Sequence, residues 1–381
     1  MTIDYTPKQV PVLLLTGYLG SGKTTLLNRI LANRKGIKFA VIVNDIGEVN
    51  IDASLIEKGG IVGKTDDSLV ALQNGCICCT LKADLIAQLA QITASSKFDY
   101  IVIEASGICE PAPIAQTIST IPSLGAQYPS STLPYVDCIV TVVDALRMKD
   151  EFGLGAALDR EDIGEDDLER LVIEQLEFCN IVLLNKASEL TQEELGHLRA
   201  VVKGLNPGAR ILSCDYGDID LDEIIFTGMF DFERVATSAA WIAAIEGEDE
   251  EEEEEGEALE YGIDTFVYTA RKPLDLNRFD YMAARKWPAN VIRAKGLCYF
   301  SDEPDKCCLF EQAGRQKSLR DAGLWYAAMP ADELEEQLRR DAQLRRDWDP
   351  VYGDRMQKIV FIGQHLDKAG IAALMDSCLV L

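Results

Sequence analysis

Five short apolar runs stand out in the first 230 residues: Val10–Thr16, Phe39–Asn44, Tyr100–Glu104, Cys138–Asp144 and Asn180–Asn185. They are continuously apolar rather than alternating, the pattern of strands buried on both faces. Between several of them the spacing turns helical, as in Leu81, Leu85, Ile86, Leu89 and Ile92, which recur on one helix face. Buried strands alternating with amphipathic helices predict an α/β domain: a mainly parallel sheet flanked by helices. Beyond residue 260, Ile263–Ala270, Val291–Phe300, Cys307–Ala313 and Lys358–Gly363 read as strands, and Asn277–Ala284 and Asp332–Asp347 as helices. That mixture predicts a smaller α+β domain. Between the two parts, ten acidic residues among the twelve from Glu246 to Glu257 repel one another and bury nothing, which predicts a solvated linker. The division is thus 1–230, a linker at 231–260, and 261–381.

Charge narrows the partners. With 63 acidic against 37 basic side chains the net charge is −26, which disfavours nucleic acid and anionic membrane surfaces. No apolar run approaches the ~18 residues of a membrane span, and the run Val12–Leu15 leads into glycines rather than a cleavage site, so a cytoplasmic protein is expected. A monomer or a homodimer fits equally. Eleven cysteines are an odd number, and three of them, Cys76, Cys78 and Cys79, lie within four residues, which suits a metal better than disulfides.

The strongest chemical signal is Gly17-Tyr18-Leu19-Gly20-Ser21-Gly22-Lys23-Thr24, a complete G-x-x-x-x-G-K-[ST] phosphate loop between a strand and the helical stretch Thr25–Ala32. Glycines let successive backbone N–H groups converge on phosphate oxygens, the helix N-terminus adds its dipole, and Lys23 brings a charge to the β- and γ-phosphates. Thr24 is placed to ligate Mg²⁺. Glu104, closing the strand Tyr100–Glu104, stands where the second acidic partner of such a site is expected. Asn44–Asp52 follows the second strand and reads as a switch segment, in which Asp45 and Glu48 are candidates for phosphate or metal contacts against a plain-loop alternative.

Asn185-Lys186-Ala187-Ser188 ends another strand. Guanine-specific phosphate-loop proteins carry N-K-x-D there, and Ser188 replaces the Asp that accepts from the base. Selectivity for guanine then calls on other groups, such as backbone carbonyls near Ser213–Asp215, or Glu189.

Cys76, Cys78 and Cys79 immediately precede a helical stretch, whose dipole favours thiolate. Three soft thiolates can share one Zn²⁺, Co²⁺ or Cu⁺, and a three-ligand set leaves a position open for exchange. Small buried residues in a tight turn are the competing reading. Glu48 is the candidate fourth ligand. His197 and His365, the two histidines, read as surface or core residues, and Cys307 and Cys308 project to opposite faces of a strand.

Taken in order, G-Y-L-G-S-G-K-T-T-L-L-N, N-D-I-G-E-V-N-I-D, N-G-C-I-C-C-T, E-A-S-G-I-C-E-P and V-V-D-A resemble the CobW-like family of metallochaperone GTPases, which includes zinc-regulated GTPase metalloprotein activators and nitrile hydratase activators. Trp287–Gly296 and Trp348–Gly363 resemble that family's C-terminal domain. The resemblance implies GTP hydrolysis with Mg²⁺ and catalytic Lys23, Thr24, Glu104 and Asp45. It implies a nucleotide site formed by Gly17–Thr25 with Asn185 and Lys186, and Zn²⁺ or Co²⁺ at the three cysteines for delivery to a client metalloprotein. The acidic linker stands where many relatives carry histidines. Two rival readings use the same motifs: a phosphate-loop kinase of a small molecule, and a nucleotide-gated zinc scaffold or sensor that keeps its metal.

Overall fold

The structure, a computed structural model, describes residues 8–32, 35–43, 82–107, 109–150, 166–231, 263–313, 316–340 and 342–380. The chain divides into two compact units. Described residues up to 231, apart from 166–170, belong to the first, and those from 263 onward to the second. Apart from Asp231, the segment expected to be the linker lies outside the described residues.

In the first unit six strands are all parallel: β1 (Gln9–Thr16), β2 (Phe39–Val43), β3 (Tyr100–Glu104), β4 (Leu133–Asp144), β5 (Ile181–Asn185) and β6 (Arg210–Cys214). Their order is β2-β3-β1-β4-β5-β6. The helices are α1 (Lys23–Leu31), α2 (Lys82–Ser95), α3 (Pro111–Thr120), α4 (Ala145–Asp150), α5 (Asp166–Glu177), of which residues 171–177 belong to this unit, and α6 (Gln192–Leu205). Every residue of β2, β3 and β5 is buried, which is why these strands read as unbroken apolar runs. Leu13, Leu15, Leu26, Ile30, Val102, Val140 and Leu183 are fully buried in one core cluster that joins sheet to α1.

This topology positions the site. After β1 the chain fills one side of the sheet with β2 and β3, then crosses to build β4, β5 and β6 on the other. In-register pairs run across the carboxyl edge: Val43 with Glu104, Leu15 with Glu104, Thr16 with Thr141, Asp144 with Asn185, and Asn185 with Cys214. Open α/β sheets bind ligands at this edge, where the strand order reverses.

Two features of the sheet differ from the apolar pattern. β4 starts at Leu133, ahead of the apolar run, and the added stretch holds an acid, Asp137, which is only 1% exposed. It is tolerated because it accepts hydrogen bonds from Tyr100 Oη (2.5 Å), Thr227 N (3.1 Å) and Gly228 N (2.7 Å). β6 is a sheet edge, with an exposed Arg210 and three half-buried residues, so it lacks the contrast that marks interior strands.

Helix α6 begins with a complete capping box: Thr191 Oγ1 accepts from Glu194 N (3.2 Å) and Glu194 Oε2 accepts from Thr191 N (2.8 Å). Thr191→Ala is expected to lower stability by about 1 kcal/mol, read as a shifted midpoint of urea unfolding with unchanged slope.

The second unit is an antiparallel sheet in the order β10-β9-β8-β11-β7, from β7 (Ile263–Ala270), β8 (Val291–Cys298), β9 (Lys306–Ala313), β10 (Gln316–Leu324) and β11 (Gln357–Gln364). Its helices are α7 (Leu276–Arg285), α8 (Ala331–Arg340), α9 (Ala342–Asp347) and α10 (Lys368–Asp376). Phe279 and Met282 of α7 and Ile371 and Met375 of α10 pack with Tyr268, Phe310 and Phe361 of the sheet. Cys308 joins this core while Cys307 packs with Tyr299 and Trp325, so the adjacent thiols do lie on opposite faces.

The single helix expected over Asp332–Asp347 is two, α8 and α9. α8 buries none of its residues, and Arg345 reaches back to donate to Leu338 O (2.8 Å), satisfying a carbonyl of its last turn. β10 and α10 went unseen because one is a polar edge strand and the other is rich in alanine and glycine. Among the described residues, no helix is long and apolar enough to cross a membrane.

Candidate functional site

The loop between β1 and α1 is shaped by its glycines. Gly17 has φ +130°, and a Cβ there would sit 2.1 Å from Val142 O of β4; Gly22 has φ +106°, and its Cβ would sit 2.3 Å from Asn185 Nδ2. Both positions therefore require glycine. Gly22 caps α1 in a left-handed conformation, Ser21 N donates to Tyr18 O (3.2 Å), and the chain enters the helix with its first N–H groups at the sheet's carboxyl edge. Lys23 is 8% exposed, and its ammonium donates to Gly17 O (2.8 Å) and Tyr18 O (3.2 Å), so a positive charge is held within the loop. Ser21 Oγ is buried with no hydrogen-bond partner among the described residues, a polar atom that an anion's oxygens would satisfy.

Thr24 Oγ1 donates to Glu104 Oε1 at 3.0 Å, and Glu104 is 2% exposed. A hydroxyl and a carboxylate side by side at the phosphate loop are hard oxygen donors, the set that suits Mg²⁺. Two residues far apart in the chain are joined here by a hydrogen bond.

Asn185 joins the phosphate loop to the loop beyond β6. Its Nδ2 donates to Ser21 O (2.8 Å), while its Oδ1 accepts from Gly217 N (3.1 Å) and from Cys214 Sγ (3.5 Å). Burial pushes the Cys214 thiol up to about 11, so it is a protonated donor. Lys186, with φ +61°, forms an ion pair with Asp144 at the end of β4. Tyr18 is covered by Arg147 of α4, whose guanidinium carbon lies 4.1 Å from the ring centroid and whose Nη1 donates to Leu19 O (3.3 Å).

Residues 11–213 match the family model described as the CobW/HypB/UreG nucleotide-binding domain, and residues 263–379 match the cobalamin synthesis protein CobW C-terminal domain. The chain belongs to the CobW/HypB/UreG family of P-loop GTPases. Within that family it is 34% identical over 388 residues to zinc-regulated GTPase metalloprotein activator 1 of Dictyostelium discoideum, covering 98% of this chain and 80% of the relative. It is 33% identical over 233 residues to the zinc chaperone CobW of Pseudomonas aeruginosa, covering 57% of this chain and 60% of that one. A crystal structure of the Zn(II)-bound YjiA GTPase from E. coli aligns at 22% identity and a TM-score of 0.43, covering 99% of this chain and all of the other.

In this family member the phosphate loop Gly17–Thr24, Glu104, Asn185 and Lys186 are gathered at one sheet edge, and Thr25 is exposed in the first turn of α1. Asp45, Glu48, Cys76, Cys78 and Cys79 lie outside the described residues. Ser188 donates from its backbone N and from its Oγ to the Asp215 side chain. His197 and His365 belong to no metal-binding cluster among the described residues.

Sequence reasoning passed over Arg147, Gln175 and the side chain of Asp215, whose segment it considered for backbone carbonyls alone. Gln175, 1% exposed on α5, donates from its side-chain amide to Cys109 O (3.2 Å) and Gly107 O (3.5 Å), and its backbone carbonyl accepts from Thr141 Oγ1 (2.8 Å). Thr141 in turn bonds Thr16 of β1 (2.8 Å). The loop after Glu104 is thereby tied to the two central strands through one buried glutamine. Only a lone polar residue in an amphipathic helix could have pointed to it.

Proposed function

We propose that this GTPase is a metallochaperone that binds Zn²⁺ or Co²⁺ through Cys76, Cys78 and Cys79, with Glu48 as a further ligand, and passes the ion to a client metalloprotein. The observation that carries the coupling is one of register. Val43, the last described residue of β2, pairs with Glu104 of β3, so the segment bearing Asp45, Glu48 and the three cysteines departs from the strand end beside the Thr24–Glu104 pair. It returns at Lys82, where α2 begins. The names of the Dictyostelium and Pseudomonas relatives support zinc as the cargo, and the eight described cysteines, all buried and none in a disulfide, fit a reducing cytosol.

In this reading Thr24 and Glu104 would hold Mg²⁺, which would neutralise charge on the phosphate oxygens. Lys23 stabilises the charge on the γ-phosphoryl group as water attacks it. Gly17–Gly22 orient the phosphates, Asp45 lies in the segment that responds to the γ-phosphate, and loss of that phosphate releases Asp45–Asp52 and alters the cysteine site.

The test is a competitive chelator titration of Zn²⁺ with a GTP analogue, with GDP and without nucleotide, on the native chain and on Cys78→Ala. Zinc affinity should differ between nucleotide states by roughly 5-fold or more in the native protein, and Cys78→Ala should lose both affinity and difference. Equal zinc affinity in all three states would sink the proposal. Zinc that resists mild chelators in every state would mark a fixed structural ion instead.

A further inference from the structure

Guanine presents two donors on one edge, N1–H and the exocyclic amino group, and the group that matches them is an ionised carboxylate, which only accepts. In this chain the residue three after Asn185 is Ser188, a neutral hydroxyl. Ser188 does not stand alone. Its Oγ donates to Asp215 Oδ1 at 2.8 Å, and its backbone N donates to the same oxygen at 3.1 Å.

Asp215 arrives from a different strand, as the first residue after β6, and the loop carrying it is tightly held. Asn185 Oδ1 accepts from Gly217 N and from the Cys214 thiol on either side of it. Arg29 of α1 donates to Tyr216 O (2.7 Å) and to Asp218 Oδ1 (2.7 Å). Tyr216 itself is in the left-handed region, φ +53°, a strained conformation for an aromatic residue and one that persists only where the surroundings impose it. The Asn185 that fixes this loop also holds Ser21 O of the phosphate loop, so phosphate cradle and Asp215 are parts of one connected unit.

We infer that Asp215 is the guanine-reading carboxylate of this chain and that Ser188 is its positioning residue. The Ser188 proton is committed to Asp215 Oδ1, which leaves Ser188 Oγ as an acceptor beside Asp215 Oδ2, an oxygen with no partner among the described residues. The pair thus offers two acceptors, one of them charged, to the two donors of guanine. Adenine turns an acceptor, its N1, toward the same place and is refused. This assignment rests on the GTPase reading and adds the residue that selects the base.

The experiment is a fluorescence competition assay with GDP, inosine diphosphate, xanthosine diphosphate and ADP on the native chain, Asp215→Asn, Asp215→Ser, and Asp215→Ser combined with Ser188→Asp. The native chain should prefer GDP to ADP and to inosine diphosphate, which lacks the 2-amino donor. Asp215→Asn should weaken GDP by about 100-fold, the loss of two charge-assisted bonds, and should now favour xanthosine diphosphate, whose 2-carbonyl accepts from the new carboxamide. Asp215→Ser should lose guanine preference, and the reciprocal swap, which returns a carboxylate to the other end of the same hydrogen bond, should restore it. Preference ratios are properties of the folded fraction alone, so poor folding does not imitate the switch. An Asp215→Asn protein that keeps the native order, or weakens all four nucleotides equally, overturns the assignment. A native chain that binds ADP as tightly as GDP overturns guanine specificity as well.

Discussion

Alanine in place of Lys23 is expected to lower kcat for GTP hydrolysis by roughly 10²–10³-fold, the typical loss when one preorganised donor to a developing negative charge is removed. The structure explains why so much rests on one side chain. The ammonium is held among loop carbonyls, at 2.8 Å from Gly17 O and 3.2 Å from Tyr18 O, and is shielded from water. Its charge therefore acts in a medium of low effective dielectric, and the loop keeps it in place before any phosphate arrives. Arginine should not rescue the variant, because a planar fork replaces a compact charge in a loop that Gly17 and Gly22 leave no room to widen. Phosphate release under saturating GTP measures the effect, with a thermal melt to show an intact fold. A Lys23→Ala protein hydrolysing within tenfold of native would mean that the loop's backbone amides and helix dipole carry the catalysis without it.

That prediction was within reach of the sequence, and the reasons show which parts of this molecule were legible. The phosphate loop is local: eight consecutive residues fix backbone, charge and hydroxyl, so residue types alone announce it. Strands β2, β3 and β5 were legible because burial on both faces, even of β2 at the sheet's edge, removes polar residues from the run. Glu104 could be placed because it ends such a run. Asp215 could not, because its role depends on β5 and β6 lying side by side in register, a fact of topology on which its local sequence is silent. Arg147 is a similar case: its link to Tyr18 exists because β4 follows β1 in the sheet and delivers α4 to the phosphate loop. Edge strands β6 and β10 hid for the opposite reason, since half-exposed positions admit polar residues and erase the signal.

Outside the phosphate loop, long-range bonds hold the site together. Lys186 pairs with Asp144, Asn185 ties the phosphate loop to the strand-end loop beyond β6, and Gln175 ties the segment after Glu104 to the central strands. These bonds join the phosphate loop, the β4 end and the segment after Glu104 to their neighbours. The described part of the site is thus a connected frame around the phosphate loop.

The same reasoning gives the largest expected effect on stability, and it lies away from the nucleotide. Asp137→Ala should cost roughly 3 kcal/mol or more, because Tyr100 Oη, Thr227 N and Gly228 N each lose the acceptor that satisfies them, at about 1 kcal/mol or more apiece. The three donors come from separate places: Tyr100 starts β3, and Thr227 and Gly228 lie in the strap that follows β6. Asp137, 1% exposed within β4, is thus a single acid that pins the strap to the foot of the sheet. Tyr100 is further packed edge-on against Phe226 (4.9 Å) and Phe39 (5.7 Å), so releasing its hydroxyl loosens an aromatic cluster as well. Asparagine should recover part of the loss, since its carbonyl accepts from the strap, but its amide cannot accept from the tyrosine. For a unit of this size the alanine variant should melt about 6–12 °C below the native protein, and the drop should be the same with and without GDP, because Asp137 touches nothing at the nucleotide edge. A variant melting within a degree or two of native would show that the strap is held by its apolar contacts and that the buried carboxylate contributes nothing net.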